Sequence, residues 1–207
     1  MEPMKCFYAI LAKKVISELG KRNIEGYYCD TKEEAAIKAL ELVPQGSTVS
    51  FGGSATLHEI GLRSALKSAK YIVWDPDDAT GPVAKDDIAR RAMAADYYFM
   101  GANAITESGE LVNIDGYGNR TSALIFGPKH VIVIAGMNKI RPDIESAILR
   151  AKKTAAPLIM LKFKRDYASF EELSTAAERA CCQLVITAGS MTKGRITVLL
   201  AGENLGF

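Results

Sequence analysis

The stretch Thr48-Val49-Ser50-Phe51-Gly52-Gly53-Ser54-Ala55-Thr56-Leu57 decides how the chain folds. Residues 48–51 read as a short strand, two glycines turn the chain, and a serine opens a helix. The helical stretch places Leu57, Ile60, Leu62, Ala65 and Leu66 on its buried sides. Strand, tight turn and helix make the unit from which parallel α/β sheets are built. The first N–H groups of a helix lack partners within it, so they can point at an anion, and a glycine lets a ligand come close to the backbone. Gly52, Gly53, Ser54 and Thr56 are therefore candidate ligand-binding residues. The same residues also make a plain tight turn with a serine cap. The pattern is neither G-x-G-x-x-G nor a Walker loop, so it specifies no nucleotide.

Outward from this turn, helices and strands alternate. Upstream, the spacing predicts a helix over 3–19, buried along Phe7, Leu11, Val15 and Leu19 with Ile10 widening the stripe. A strand follows over 24–29. Thr31 and Glu34 form a capping box for a helix over 31–42. Downstream come a strand at 71–74, a helix at 83–95 and a strand at 96–101. Residues 105–106 and 111–114 read as a hairpin turning at Ser108-Gly109. A short helix at 121–126 leads to 130–135, an apolar strand of the kind buried on both faces. Pro142 suits the first turn of the next helix, whose Arg150, Lys152 and Lys153 complement the dipole at its end. A strand at 158–163, a helix at 169–181 and strands at 183–187 and 195–200 complete the chain. The reading is an α/β fold, a mostly parallel sheet flanked by helices, in a single domain over 1–207.

Composition excludes several classes. The chain has 207 residues, 48% hydrophobic and 24% charged, too apolar for a disordered chain. Its 26 basic and 24 acidic residues leave a net charge of +2, without the excess of a nucleic-acid binder. No apolar run approaches the ~20 residues of a membrane span. The apolar stretch at 6–12 is too short for a secretory signal. Cys6, Cys29, Cys181 and Cys182 form no C-x-x-C and read as free thiols of a reducing compartment. The expected place is the cytoplasm, with no nucleic acid and no membrane as partner.

The densest polar constellation runs from Gly101 to Arg120. Asn103, Glu107, Asn113, Asp115 and Asn119 fall among glycines 101, 109, 116 and 118, and Arg120 closes the run. Short polar groups on glycine-articulated loops suit a small-molecule site. They are also the ordinary residues of β-turns, although turns alone do not explain Glu107 or Arg120. Glu107 and Asp115 are the candidate catalytic carboxylates; Asn103, Asn113, Asn119 and Arg120 are candidate ligand contacts. The glycine turn and these loops are expected together at one end of the sheet. His58 lies one turn beyond Ser54, where it either reaches a ligand or packs. Neither His58 nor His130 has metal-ligand spacing, so no metal site is expected.

Three segments carry a resemblance: G-G-S-A-T-L-H-E-I-G-L from Gly52, T-E-S-G-E-L-V-N-I-D-G-Y-G-N-R from Thr106, and G-R-I-T-V-L-L-A-G-E-N-L-G-F from Gly194. Together they resemble the LUD (lactate utilisation) domain family, LutC/YkgG type, over essentially the whole chain. The resemblance implies a NagB/RpiA/CoA-transferase-like fold, the group of ribose-5-phosphate isomerase, glucosamine-6-phosphate isomerase and CoA transferases. It implies a part in oxidising L-lactate to pyruvate beside iron–sulfur subunits. Many relatives carry a cysteine-rich stretch before the last strand, where this chain has only Cys181-Cys182. With no C-x-x-C-x-x-C run, no iron–sulfur cluster is expected in this chain, and no flavin or haem either. The chain then reads as a non-redox subunit or accessory protein. Two other readings stay open. One is an isomerase or CoA-transferase-like enzyme, with Glu107 as base or acyl acceptor and a phosphate or CoA on the glycine turn. The other is a small-molecule-binding sensor. The expected ligand is a small anionic metabolite, and a homo-oligomer is possible.

Overall fold

The computed structural model describes residues 2–68, 70–164 and 166–207. Their strands are β1 (Glu25–Cys29), β2 (Thr48–Phe51), β3 (Ile72–Trp74), β4 (Tyr97–Gly101), β5 (Ala104–Thr106), β6 (Leu111–Asp115), β7 (His130–Gly136), β8 (Ile140–Arg141), β9 (Gln183–Thr187) and β10 (Ile196–Ala201). Their helices are α1 (Pro3–Lys21), α2 (Lys32–Glu41), α3 (Ala55–Glu59), α4 (Leu62–Ser68), α5 (Pro82–Arg91), α6 (Asn119–Phe126), α7 (Ile144–Arg150), α8 (Ala156–Phe163) and α9 (Phe170–Ala180). Short 3₁₀ turns and one π-helical turn, Ala151–Ala155, link some of them.

Six strands form a parallel sheet in the order β1-β10-β7-β4-β2-β3. The interior strands β7 and β10 are apolar apart from His130 and Thr197, because helices cover both faces. Along β7, Val131, Val133 and Ala135 face one core with Val198 and Leu200 of β10 and Ala12, Val15 and Leu19 of α1. Ile132 and Ile134 face the other with Leu199 and Ala201, Ala35 and Ala39 of α2, and Leu57, Leu62 and Leu66 after the glycine turn. The two-residue period of a strand sorts the run into these two cores. A smaller sheet, β8-β5-β6-β9, stands beyond the carboxyl end of β4. Its hairpin is antiparallel, with Ile105 opposite Leu111.

The chain order places a crevice. From β2 the chain leaves for β3 on one side; from β4 it leaves for the small sheet and then β7 on the other. Adjacent strands whose connections diverge open a gap beyond their carboxyl ends, where α/β folds bind ligands. Gly52 and Gly101 stand at that gap.

Most boundaries agree with the sequence. Thr31 caps α2 by accepting from Glu34 N at 3.2 Å, and the Glu34 carboxylate accepts from Asp30 N at 2.9 Å. Two readings are corrected. Residues 158–163 are helix, not strand: they lie within α8, which runs on from α7 through the π turn and packs on α9. A short apolar run reads alike for a strand and a covered helix, and only Ile159 in it is β-branched. Pro157 has no N–H to give the preceding turn, and the wider π turn accommodates it. On α1, Phe7 and Ile10 are exposed, while Ala12, Val15 and Leu19 are buried. A four-residue step overshoots the helical turn by about 40°, so the stripe 7-11-15-19 winds off the core at its start. No helix among the described residues is long and apolar enough to cross a membrane.

Candidate functional site

The glycine turn is held from both sides. Gly52 N donates to Phe99 O at 2.8 Å, extending the pairing of β2 with β4. Its carbonyl accepts from the Arg63 guanidinium at 3.0 Å. Arg63, buried, is anchored in turn on Asp75 at 2.7 Å. A Cβ on Gly52 would lie 3.0 Å from Arg120 Cγ and from the Tyr98 hydroxyl, so only glycine lets Arg120 lie across the turn. Ser54 caps α3, accepting from Leu57 N at 3.4 Å. Gly53 is exposed, with open space where a side chain would be.

Arg120 joins this turn to the second constellation. Its Nε donates to Asp115 Oδ1 at 2.9 Å. One terminal nitrogen donates to Gly101 O at 2.8 Å and Asn113 Oδ1 at 2.7 Å. The other donates to Asn103 Oδ1 at 2.7 Å and Ile114 O at 2.9 Å. All five guanidinium N–H groups are thus matched within the protein. Asp115 is equally engaged, because its Oδ2 accepts from Thr121 N at 2.8 Å. Asn103 Oδ1 also accepts from Ile114 N at 2.9 Å. The group pins β4, β6 and α6 together and brings Asn103, Asn113, Asp115 and Arg120 beside Gly52, at one end of the sheet. One polar atom is left over: Asn113 Nδ2 is buried without a hydrogen-bond partner.

Two cations complete the cluster that sequence reasoning did not single out. Lys139 is only 3% exposed, and its Nζ donates to Thr56 Oγ1 at 3.0 Å. A Cβ on Gly101 would stand 3.7 Å from that Nζ and 2.8 Å from Ser54 Oγ, which places Lys139 at the start of α3. Among the described residues Lys139 makes no ion pair. Burial, followed by the nearby Arg150 and Arg120, pulls its ammonium down to about 7, against a weaker opposing pull from Glu59. Arg150, buried at the end of α7, donates to the carbonyls of Asn103 and, at 3.4 Å, Asn138. It too lacks a carboxylate partner among the described residues. Burial and then Arg141 bring it down to about 10. The legible signal for Lys139 was a lone lysine in Ala135-Gly136-Met137-Asn138-Lys139-Ile140, just past the carboxyl end of an apolar strand. Arg150 was masked by its place at a helix end, where a cation also satisfies the dipole.

Residues 203–206 lie over this cluster. Met137 N donates to Glu203 O at 3.0 Å, Leu205 N to Asn138 Oδ1 at 3.1 Å and Gly206 N to Glu59 Oε2 at 2.8 Å. Leu205 is buried, and a Cβ on Gly206 would lie 2.5 Å from Thr56 Oγ1 and 3.4 Å from Lys139 Nζ.

Three predicted site residues stand apart from the group. The Glu107 carboxylate pairs with Lys14 of α1 at 2.6 Å, and the hairpin turn docks there through Arg22 as well. His58 points to the surface, 3.6 Å from Asp77. Burial, then Arg63, holds its imidazole below the usual range. Asn119 is the exposed first residue of α6, and the left-handed Gly118 precedes it. The glycine turn and the buried end of the 107–120 segment therefore meet, while Glu107 at its other end does not join them.

The crystal structure of a DUF162 family protein from Deinococcus radiodurans is similar to this chain at a TM-score of 0.55 and 13% identity, covering 94% of this chain and 98% of that chain. That likeness is one of fold. Ribose 5 phosphate isomerase A from Neisseria gonorrhoeae is a looser match, with a TM-score of 0.41, 17% identity, and coverage of 86% of this chain and 96% of that chain. No curated protein matches the chain. The pattern of the LUD domain matches residues 12–201, which span the glycine turn, the Arg120 clamp, Lys139 and the last strand: the chain belongs to the LUD domain family.

Proposed function

We propose that this protein serves lactate utilisation as a non-redox subunit or accessory protein, and that it does so by binding a small carboxylate metabolite beside Lys139 and Arg150. One observation carries the reading: two buried cations, Lys139 at the start of α3 and Arg150 on the Asn103 and Asn138 carbonyls, make no ion pair among the described residues. Burying a charge is unfavourable unless a partner offsets it, and a bound anion is such a partner. The Thr56 and Ser54 hydroxyls add neutral donors. Asn113 Nδ2, buried and unpartnered, is a donor for a second polar atom, as the 2-hydroxyl of lactate would supply. Arg120 acts here as a positioning residue, since its N–H groups are all engaged within the protein.

The isomerase or CoA-transferase-like reading would place a phosphate or CoA on the same turn. It also needs a free carboxylate at Glu107, and the ion pair with Lys14 weighs against that. Titration calorimetry with L-lactate, pyruvate, ribose 5-phosphate and acetyl-CoA separates these readings. The carboxylates should bind, and Lys139→Met should weaken them about 10–100-fold, the worth of a charge-assisted hydrogen bond. Binding confined to ribose 5-phosphate or acetyl-CoA would replace this reading with the enzyme of phosphorylated or CoA-linked substrates. Silence toward all of them would remove it.

A further inference from the structure

We propose that Lys139 is a nucleophile that forms a reversible imine with the carbonyl carbon of a small 2-oxo acid. The proposal rests on the carboxylate-binding reading and adds a covalent step to it.

Four observations converge. The Lys139 amine is buried and has a hydroxyl, not a carboxylate, as its hydrogen-bond partner. The neighbouring charges that act on it most are the cations Arg150 and Arg120. An amine so placed is stabilised without its proton, and only the unprotonated amine has a lone pair to attack a carbonyl. The flanks are small: Gly101 and Gly206 present no side chain toward the Nζ, and residues 203–206 must lift for a 2-oxo acid to reach it. Arg150, on the same cluster, is without a carboxylate partner among the described residues and is suited to the acid group of the incoming molecule. Thr56 Oγ1, 3.0 Å from the Nζ, can relay a proton.

The step balances without an oxidant. The Nζ lone pair forms a bond to the carbonyl carbon, and the C=O pair moves onto oxygen. A proton passes from nitrogen to that oxygen, with Thr56 as relay. Loss of the hydroxyl with one further proton as water leaves C=N. Hydrolysis reverses each step and returns the 2-oxo acid. The carbon acquires an electron sink without any change of oxidation state, which suits a chain placed beside redox subunits rather than one carrying out redox chemistry.

The test uses the full chain incubated with pyruvate and sodium cyanoborohydride, read by intact mass and peptide mapping. The expected result is one reduced three-carbon adduct per chain, on the peptide that carries Lys139. Peptide mapping of the natural sequence locates it without relying on any variant. Lys139→Arg, whose guanidinium cannot form the imine, should lose the adduct. L-lactate, which has no carbonyl, should protect against trapping and give no adduct itself. If calorimetry detects pyruvate and no adduct forms, or if the label spreads over surface lysines, the imine is overturned and the binding site stands. If pyruvate neither binds nor is trapped, both readings fall.

Discussion

The Arg120 guanidinium and the Asp115 carboxylate form a closed buried unit: Nε meets Oδ1 at 2.9 Å, and Oδ2 is taken by the Thr121 N–H at 2.8 Å. Neither partner has capacity left for chemistry, and each would be left charged and buried without the other. Asp115→Ala should therefore cost about 3–5 kcal/mol of stability, the usual loss when one half of a buried pair is removed. Arg120→Lys should not rescue the fold, because an ammonium has three donors where five are used. Urea unfolding of the two variants checks this; a loss near zero for either would show that the clamp is not structural.

Glu107 is expected to behave differently. Its ion pair with Lys14 is partly exposed, and such pairs are worth about 0–1 kcal/mol. Glu107→Gln should shift the unfolding midpoint little and leave carboxylate binding unchanged. A large fall in turnover on any substrate would restore Glu107 as a catalytic group.

Lys139 makes stability depend on pH in a defined direction. Its folded value of about 7 lies below the ordinary 10.5, so between these limits the unfolded chain holds the extra proton. Below about 7 both states are charged and the cost of burial is fully felt; above 10.5 both are neutral and it vanishes. Stability from this group therefore rises with pH across the window, by up to ~1.4 kcal/mol per unit. The charged groups acting on it are Arg150, Arg120 and Glu59. Lys139→Met should flatten that rise in denaturant titrations between pH 7 and 10. An unaltered slope would mean that the folded amine stays charged across that window.

Gly206 tests the cover over the cluster. Its φ is +58°, and a Cβ there would press on Thr56 Oγ1 at 2.5 Å. Gly206→Ala should lift residues 203–206 from Lys139, cost about 1 kcal/mol and speed modification of Lys139 by an amine-reactive probe. Equal labelling rates in the two proteins would show that the segment does not shield the amine.

Local signals sufficed for much of the fold. The Thr31 cap, the strand-glycine-helix turn at Gly52 and the hairpin at Ser108-Gly109 rest on contacts a few residues apart, and they were legible. The parallel layering followed from alternation and from the apolar run at 130–135. The stretch 158–163 was not legible, because its helix is fixed by the π turn before it and by α9 packed against it. The α1 stripe was legible only where the helix touches the sheet.

For the site, the sequence by itself determined which residue types gather: a glycine turn that opens a helix and a run of short polar groups ending in arginine. Only the tertiary structure decided what each one does. Arg120 is saturated because β4 and β6, 19 and 6 residues back along the chain, fold to bring the Gly101 and Ile114 carbonyls to it. Glu107 meets Lys14 because the hairpin folds back on α1. Lys139, ordinary in the sequence, becomes exceptional because β7 ends beside the start of α3 and residues 203–206 close over it. Burial and the company of charges are properties of three-dimensional neighbours, and a pattern along one chain cannot specify them.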